Sequence, residues 1–297
     1  MNQRTVDAHH HIWLQQDLPW LLGPMQPRIF GPYEPIRRDY NIREYLDDIV
    51  GLGVEKSVYV QANWAKDRFE DEVAWVAANN EQTGWPHAIV GYADFLVEDV
   101  RPQLDRLAGY DLMRGVRMQL HWHENEMYRF ASGPDVARDP VLQRNVARLA
   151  DYGWCFDLQV FAPQMAGAAD LAAAVPQVTF ILQHAGMLED LSEDGWAEWR
   201  AGMEKLAAER NVISKLSGLG TFVHRNDPAL IARIVDETVS MFGADRCLFG
   251  SNFPIEKLWT DYGSLLRAYR DATQGLSREQ QADIFWNTAT RVYRLNE

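Results

Sequence analysis

Short runs of apolar and β-branched residues recur along the chain, each followed by a longer stretch in which apolar positions return every three or four residues. The short runs fall at 5–11, 56–61, 87–93, 115–120, 154–160, 178–184, 212–217 and 246–251. The longer stretches include 43–51, 70–82, 140–152, 196–209 and 228–242. Strict alternation of strand and helix implies parallel pairing through right-handed crossovers, and eight such units close a barrel. The pattern predicts an α/β fold, a single eight-stranded TIM-type barrel over 1–297. A doubly wound sheet is the competing arrangement, but no Gly-x-Gly-x-x-Gly turn follows any strand, so no nucleotide cofactor is expected.

Two stretches break the alternation. Residues 15–40 carry Pro19, Pro24, Pro27, Pro32 and Pro35 among large apolar side chains. A long loop after the first strand of a barrel lies on the catalytic rim, which predicts an ordered lid or pocket wall. Residues 122–139 read as a second rim insertion. The stretch 277–295 reads as an extra terminal helix, with Ser277 as its cap, Glu279 and Gln280 in its first turn, and Ile284, Phe285 and Val292 on its apolar side.

Charge narrows the partners. The 42 acidic and 29 basic residues leave a net charge of −13, which disfavours nucleic acid and anionic membrane surfaces. An acidic substrate would need a local cationic clamp. Cys155 and Cys247 are too few for a disulfide framework, and their apolar strands suggest buried thiols. The start, Met1 to Thr5, has no leader pattern, and no apolar run reaches spanning length. A cytoplasmic protein acting on a small molecule is the expectation.

The run Asp7-Ala8-His9-His10-His11 carries the clearest chemistry. Alternation along a strand puts His9 and His11 on one face, with Ala8 and His10 on the other. Such a pair shares a metal ion or polarises a substrate oxygen; a solvated strand end is the plain alternative. Catalytic groups of these barrels gather where strands end, which draws attention to Gln61, Asp94, Gln119, His121, Gln159, His184, Lys215, Ser217 and Asn252. Arg117, within a short inner strand, suits an inward cation that grips a carboxylate or polarises a carbonyl. His121 and His123 share a face and serve either as a base or as rim packing. Lys215 either anchors a substrate oxygen or snorkels at the strand edge. Trp13, Trp64 and Trp122 lie just beyond strands, where flat faces can pack on a ring.

The segments Val6-Asp7-Ala8-His9-His10-His11-Ile12-Trp13, Ile181-Leu182-Gln183-His184-Ala185-Gly186 and Phe249-Gly250-Ser251-Asn252-Phe253-Pro254, in that order, resemble the amidohydrolase superfamily. Within it, the chain is similar to the amidohydrolase-related branch that contains sugar-acid and dicarboxylate lactonases. The stretch Ile284 to Tyr293 resembles that family's terminal helix, and Gly115-Val116-Arg117 its Gly-x-Arg segment. The resemblance implies a distorted barrel, hydrolysis of an ester bond in a small ring, and a site built from His9, His11, His184 and the residue at 252.

The last position departs from the pattern: the family usually has aspartate there, as metal ligand and base, and this chain has Asn252. An amide cannot act as a general base near neutral pH. Either Glu256, Asp261 or a histidine takes that role, or a metal-bound hydroxide attacks unaided, or the reaction is not hydrolysis. His9, His11 and His184 are the candidate ligands for a divalent metal, zinc or manganese. The branch also contains members that work without one, so occupancy stays open. The reading is a lactonase with His184, Asn252, His9, His11 and Arg117 as catalytic residues, and Gln61, Trp13, His121, Gln159 and Lys215 as substrate contacts. A metal-dependent decarboxylase of a small unsaturated or aromatic acid is the competing enzyme, and a noncatalytic binding protein the third reading.

Overall fold

The computed structural model describes residues 3–295; Met1 and Asn2, with which the amino-terminal reading began, lie outside the described residues. Eight strands form one sheet in sequence order, each parallel to the next. They are β1 (Thr5–His10), β2 (Val54–Val60), β3 (Ala88–Gly91), β4 (Met113–Gln119), β5 (Cys155–Gln159), β6 (Phe180–Leu182), β7 (Val212–Leu216) and β8 (Cys247–Phe249). The barrel closes just beyond β8, where Asn252 N donates to His9 O at 2.7 Å and His11 N donates to Phe253 O at 2.8 Å. Helices α1 (Ile42–Ile49), α2 (Phe69–Thr83), α3 (Arg101–Leu107), α4 (Pro140–Ala147), α5 (Met165–Ala174), α6 (Glu193–Ala208), α7 (Pro228–Phe242) and α8 (Tyr262–Ala272) follow the strands in turn.

Local chemistry starts these helices where expected. Asn41, Asp139, Ser192, Asp227 and Asp261 each accept a backbone N–H of the first turn. Pro140 and Pro228 occupy the first helical position, where the missing N–H is harmless.

The barrel interior is apolar toward the amino ends of the strands, where Val6, Ala8, Val58, Val60, Ala88, Val90, Ile181, Ile213 and Leu248 pack with Ala289, Tyr293 and Leu295 of the carboxyl-terminal segment. Polar groups begin above this layer, with Asp157 and Lys215, and continue to the carboxyl ends of the strands. Both cysteines are buried, and among the described residues no helix is long and apolar enough to cross a membrane.

Four details differ from the sequence reading. Ala8 faces the interior with Val6 rather than away from His9, because an irregularity in the pairing of β1 with β2 between Asp7 and His10 resets the alternation. Asp7 faces outward, where it accepts from Ser251, Tyr45 and Tyr262, while His10 faces away from His9 as expected, stacked on Tyr45 beside Ser57. Strand β6 stops at Leu182, short of His184, because the backbone turns left-handed at His184. The stretch 140–152 is divided at Arg148, and the terminal helix is interrupted by a wide turn, Asp283–Asn287, between Arg278–Ala282 and Thr288–Val292. Its expected Ser277 cap is present, with Gln280 N donating to the hydroxyl.

Candidate active site

Two rings of the histidine cluster are fixed from behind. His11 Nδ1 lies 2.6 Å from the Val60 carbonyl, which only accepts, so Nδ1 carries the proton and Nε2 keeps its lone pair. His184 Nδ1 lies 2.8 Å from Ser217 Oγ. His9 is wedged between them, its ring centroid 5.0 Å from that of His11 and 4.8 Å from that of His184, with both nitrogens buried and unpartnered. The crowding dictates two glycines: a Cβ at Gly250 would fall 2.6 Å from His9 Cβ, and one at Gly218, itself at φ +60°, would fall 2.6 Å from His184 Nδ1.

Burial, reinforced by the Arg117 and Lys215 cations, pushes His11 and His184 down to about 3 and His9 well below its ordinary value. All three are neutral imidazoles at physiological pH.

Arg117, on β4, completes this face. Its Nη2 donates to the Gln61 carbonyl at 2.5 Å, and among the described residues it forms no ion pair. Burial lowers it to about 10, partly offset by Asp157 and Glu72, so it stays charged. His11, His184, Arg117 and Asn252 share the wall of one cleft at the carboxyl ends of the strands, enclosing about 680 Å³ with its open mouth. Gln119, Gln159 and Trp13 line it as well, and the loop of residues 15–40 closes one side with Trp20, Arg28, Ile29 and Phe30. That loop is stapled at its base by paired backbone bonds between Trp13 and Tyr40, of 2.7 and 3.0 Å, and in its middle by Trp20 Nε1 donating to Ala62 O at 2.9 Å. Among the described residues no Asp or Glu lines the cleft, in a chain of net charge −13.

The backbone is unusual around this cleft. Asn63, His184, Met187 and Asn252, all on its wall, have positive φ between 53° and 61°. Non-glycine residues held this way cluster where a site needs a side chain aimed against local preference.

The other expected contacts lie elsewhere. Lys215 does not reach the cleft: it donates to Asp157 at 2.9 Å, both side chains fully buried, two residues nearer the amino ends of β7 and β5 than Ser217 and Gln159. Gln183 and Tyr293 also donate to Asp157. His121 packs among Phe130 and Phe161, off the cleft wall. Gln61 and Trp64 face a neighbouring chamber, and Trp122 a separate surface cavity. Of the two carboxylates considered as base, Asp261 caps α8. Glu256 is buried behind Asn252, bonded by Trp259 Nε1 at 2.8 Å, and burial lifts it to about 8. Arg28 and Asn63 escaped the sequence reading; an arginine without a nearby acidic residue in a proline-rich loop was the available signal for the first.

Whether these groups suit a divalent ion turns on charge and convergence. The bare nitrogens of His9 offer lone pairs. Yet among the described residues no three His, Cys, Asp or Glu side chains converge as ligands. Asn252 brings no charge, and the charged groups acting on the histidines are the cations Arg117 and Lys215. A carboxylate or thiolate offsets the charge of zinc or manganese, and three imidazoles hold zinc without one only where their lone pairs converge and no other cation lies beside them. The residues present do not fit such an ion.

A family model described as Amidohydrolase matches residues 6–295. The chain belongs to the amidohydrolase family. Among its relatives, the uncharacterized protein y4mH of Sinorhizobium fredii is 33% identical over 98% of each chain. An L-fucono-1,5-lactonase of Burkholderia multivorans is 28% identical over 100% of this chain and 98% of its own. The crystal structure of an amidohydrolase from Burkholderia multivorans, with bound zinc, superposes with a TM-score of 0.81 at 26% identity, covering 99% of this chain and 100% of that one. The chain is thus an amidohydrolase-type enzyme, a hydrolase, and the zinc is a property of that neighbour.

Proposed function

We propose that this amidohydrolase opens a small lactone, a sugar-acid or dicarboxylate lactone, by adding water to the ring carbonyl. The observation that carries the reading is Arg117: a buried, charged guanidinium with no ion-pair partner among the described residues, on the same wall as His11, His184 and Asn252. A fixed cation in a site shielded from water stabilises the oxyanion that forms when a carbonyl is attacked. The Asn252 amide, 5% exposed, orients the water. His11 Nε2, held unprotonated by the bond from Nδ1 to Val60, accepts the water's proton as the C–O bond forms, the oxyanion growing beside it offsetting the burial and the Arg117 charge that otherwise hold the ring neutral. The ring C–O bond then breaks, the proton passes to the leaving alkoxide, and the hydroxy acid ionises. The lactonase relative points to the same chemistry.

Decarboxylation is the second reading, kept by the loss of the family's aspartate at position 252. The test is proton release from a panel of sugar, dicarboxylate and simple lactones, with chelator-treated and with zinc- or manganese-supplemented protein, alongside carbon dioxide detection with unsaturated and aromatic acids. Proton release that is indifferent to chelator is expected. Gas without ring opening would replace the lactonase reading.

A further inference from the structure

Beside the cleft lies a second chamber, of about 750 Å³ with its mouth, and Trp20, Arg28 and Asn63 belong to the walls of both. Its wall carries four shielded polar atoms with no hydrogen-bond partner among the described residues: Arg28 Nε, Gln61 Nε2, Trp64 Nε1 and Tyr92 Oη. Gln61 and Trp64 are 1% and 7% exposed. Gln61 spends its oxygen on the Asn63 N–H, at 2.7 Å, which leaves its amino group free. Buried polar groups are normally satisfied, so four unmet ones around one chamber mark a place for a ligand.

The kind of ligand follows from the kind of atom. A guanidinium, an amide amino group and an indole N–H only donate, and the phenol of Tyr92 donates readily. Glu72 Oε1 is engaged by Tyr59 and by the Ala62 N–H, at 2.7 and 2.5 Å, and burial lifts this carboxyl to about 7, so it sets little charge against an anion. The four unmet atoms all offer protons, which a carboxylate matches with acceptors alone, whereas a sugar hydroxyl brings a donor of its own. Arg28 lies over the Trp20 ring at 5.6 Å, and Lys66 stands on the same wall.

We propose that the side chamber, with Arg28 at its junction with the cleft, holds a carboxylate substituent of the lactone, so the preferred substrate is an anionic lactone. The inference rests on the lactonase reading and narrows it. The test compares D-glucaro-1,4-lactone with D-glucono-1,4-lactone, which differ by a carboxylate in place of a hydroxymethyl group. The wild-type chain should favour the acidic lactone at least tenfold in kcat/KM, and Arg28→Gln should lower that ratio at least tenfold through KM. Trp64→Phe, which removes one donor and keeps an aromatic ring, should lower it several-fold. Equal turnover of the two lactones, or an unchanged ratio in both variants, would overturn the side chamber and leave the lactonase reading standing. If neither lactone opens, that reading loses its support while the chamber is judged by calorimetry with D-glucarate. Binding weakened tenfold by Arg28→Gln supports it, and no binding to the wild-type chain overturns it.

Discussion

Arg117 and Lys215 are both cations inside the same barrel, on strands β4 and β7, and both are fully shielded. Lys215 meets Asp157, and Gln183 and Tyr293 donate to the same carboxylate. Arg117 meets a backbone carbonyl and otherwise faces the cleft. One charge is answered within the fold and the other is left for something that enters. The contrast separates a structural ion pair from a functional cation without appeal to residue type, since an unpaired buried charge is tolerated only where it has work outside the fold.

The sharpest way to break this contrast is to remove each cation. Arg117→Met should cost about 10³-fold in lactone kcat/KM, the scale of a lost oxyanion partner, with little change in the thermal midpoint. Lys215→Met should do the opposite, losing about 3–5 kcal/mol of stability because Asp157 is left buried and unpaired. The double change of Asp157 and Lys215 to Leu and Met should recover much of that in a urea melt. A Lys215 variant of full stability, or an Arg117 variant of full activity, would reverse the assignment.

Next in size is Asn252→Asp, which restores a carboxylate among the three imidazoles. It should confer zinc binding measurable by calorimetry on chelator-treated protein, at least tenfold tighter than for the parent chain. Stoichiometric zinc in the parent would contradict the electrostatic reading of the site.

Acidity probes the same divide more gently. His11, His121 and His184 hold folded values of about 3 against 6.5 when free, so below pH 6.5 the unfolded chain binds protons that the folded chain refuses, and stability falls as pH drops. Glu72 and Glu256 stay protonated in the folded chain up to about 7 and 8, so their contribution is lost as pH rises from 4.5. These histidines, joined by His9, His10 and His87, which burial also holds low, outweigh the raised acids below 6.5, and the acids dominate above it. Urea midpoints at pH 5, 6.5 and 8 should therefore peak at the middle value. The smallest expected effect is that of Asp261→Asn, which keeps a capping oxygen on α8: less than a twofold change in activity and about 0.5 kcal/mol or less in stability.

The barrel was legible because strand and helix each leave a period in the chain, and the eight short runs correspond to the eight strands. The pairing of Asp157 with Lys215 was not, since it spans two strands 58 residues apart. An aspartate alternating inward between Cys155 and Gln159 was its one trace. His9, His11, His184 and Asn252 were all placed at the rim from their motifs. The bulge that turns His9 inward after Ala8, and the left-handed turn that carries His184, depend on backbone geometry that periodicity does not encode. Arg28 was missed because the proline-rich loop has no period at all, and its place is set by tertiary bonds from Trp13, Trp20 and Tyr40.

The left-handed residues of the cleft bear on how this enzyme could be bred. A side chain held at positive φ gives up about 1–3 kcal/mol that glycine would not. A library sorted only for survival on heating would thus draw glycine to half-buried Asn63, where little packing is lost, and erase part of the wall that the cleft shares with its side chamber, whereas buried His184 and Met187 would lose more in packing than the strain returns. Heat tolerance and turnover in this chain must be selected together.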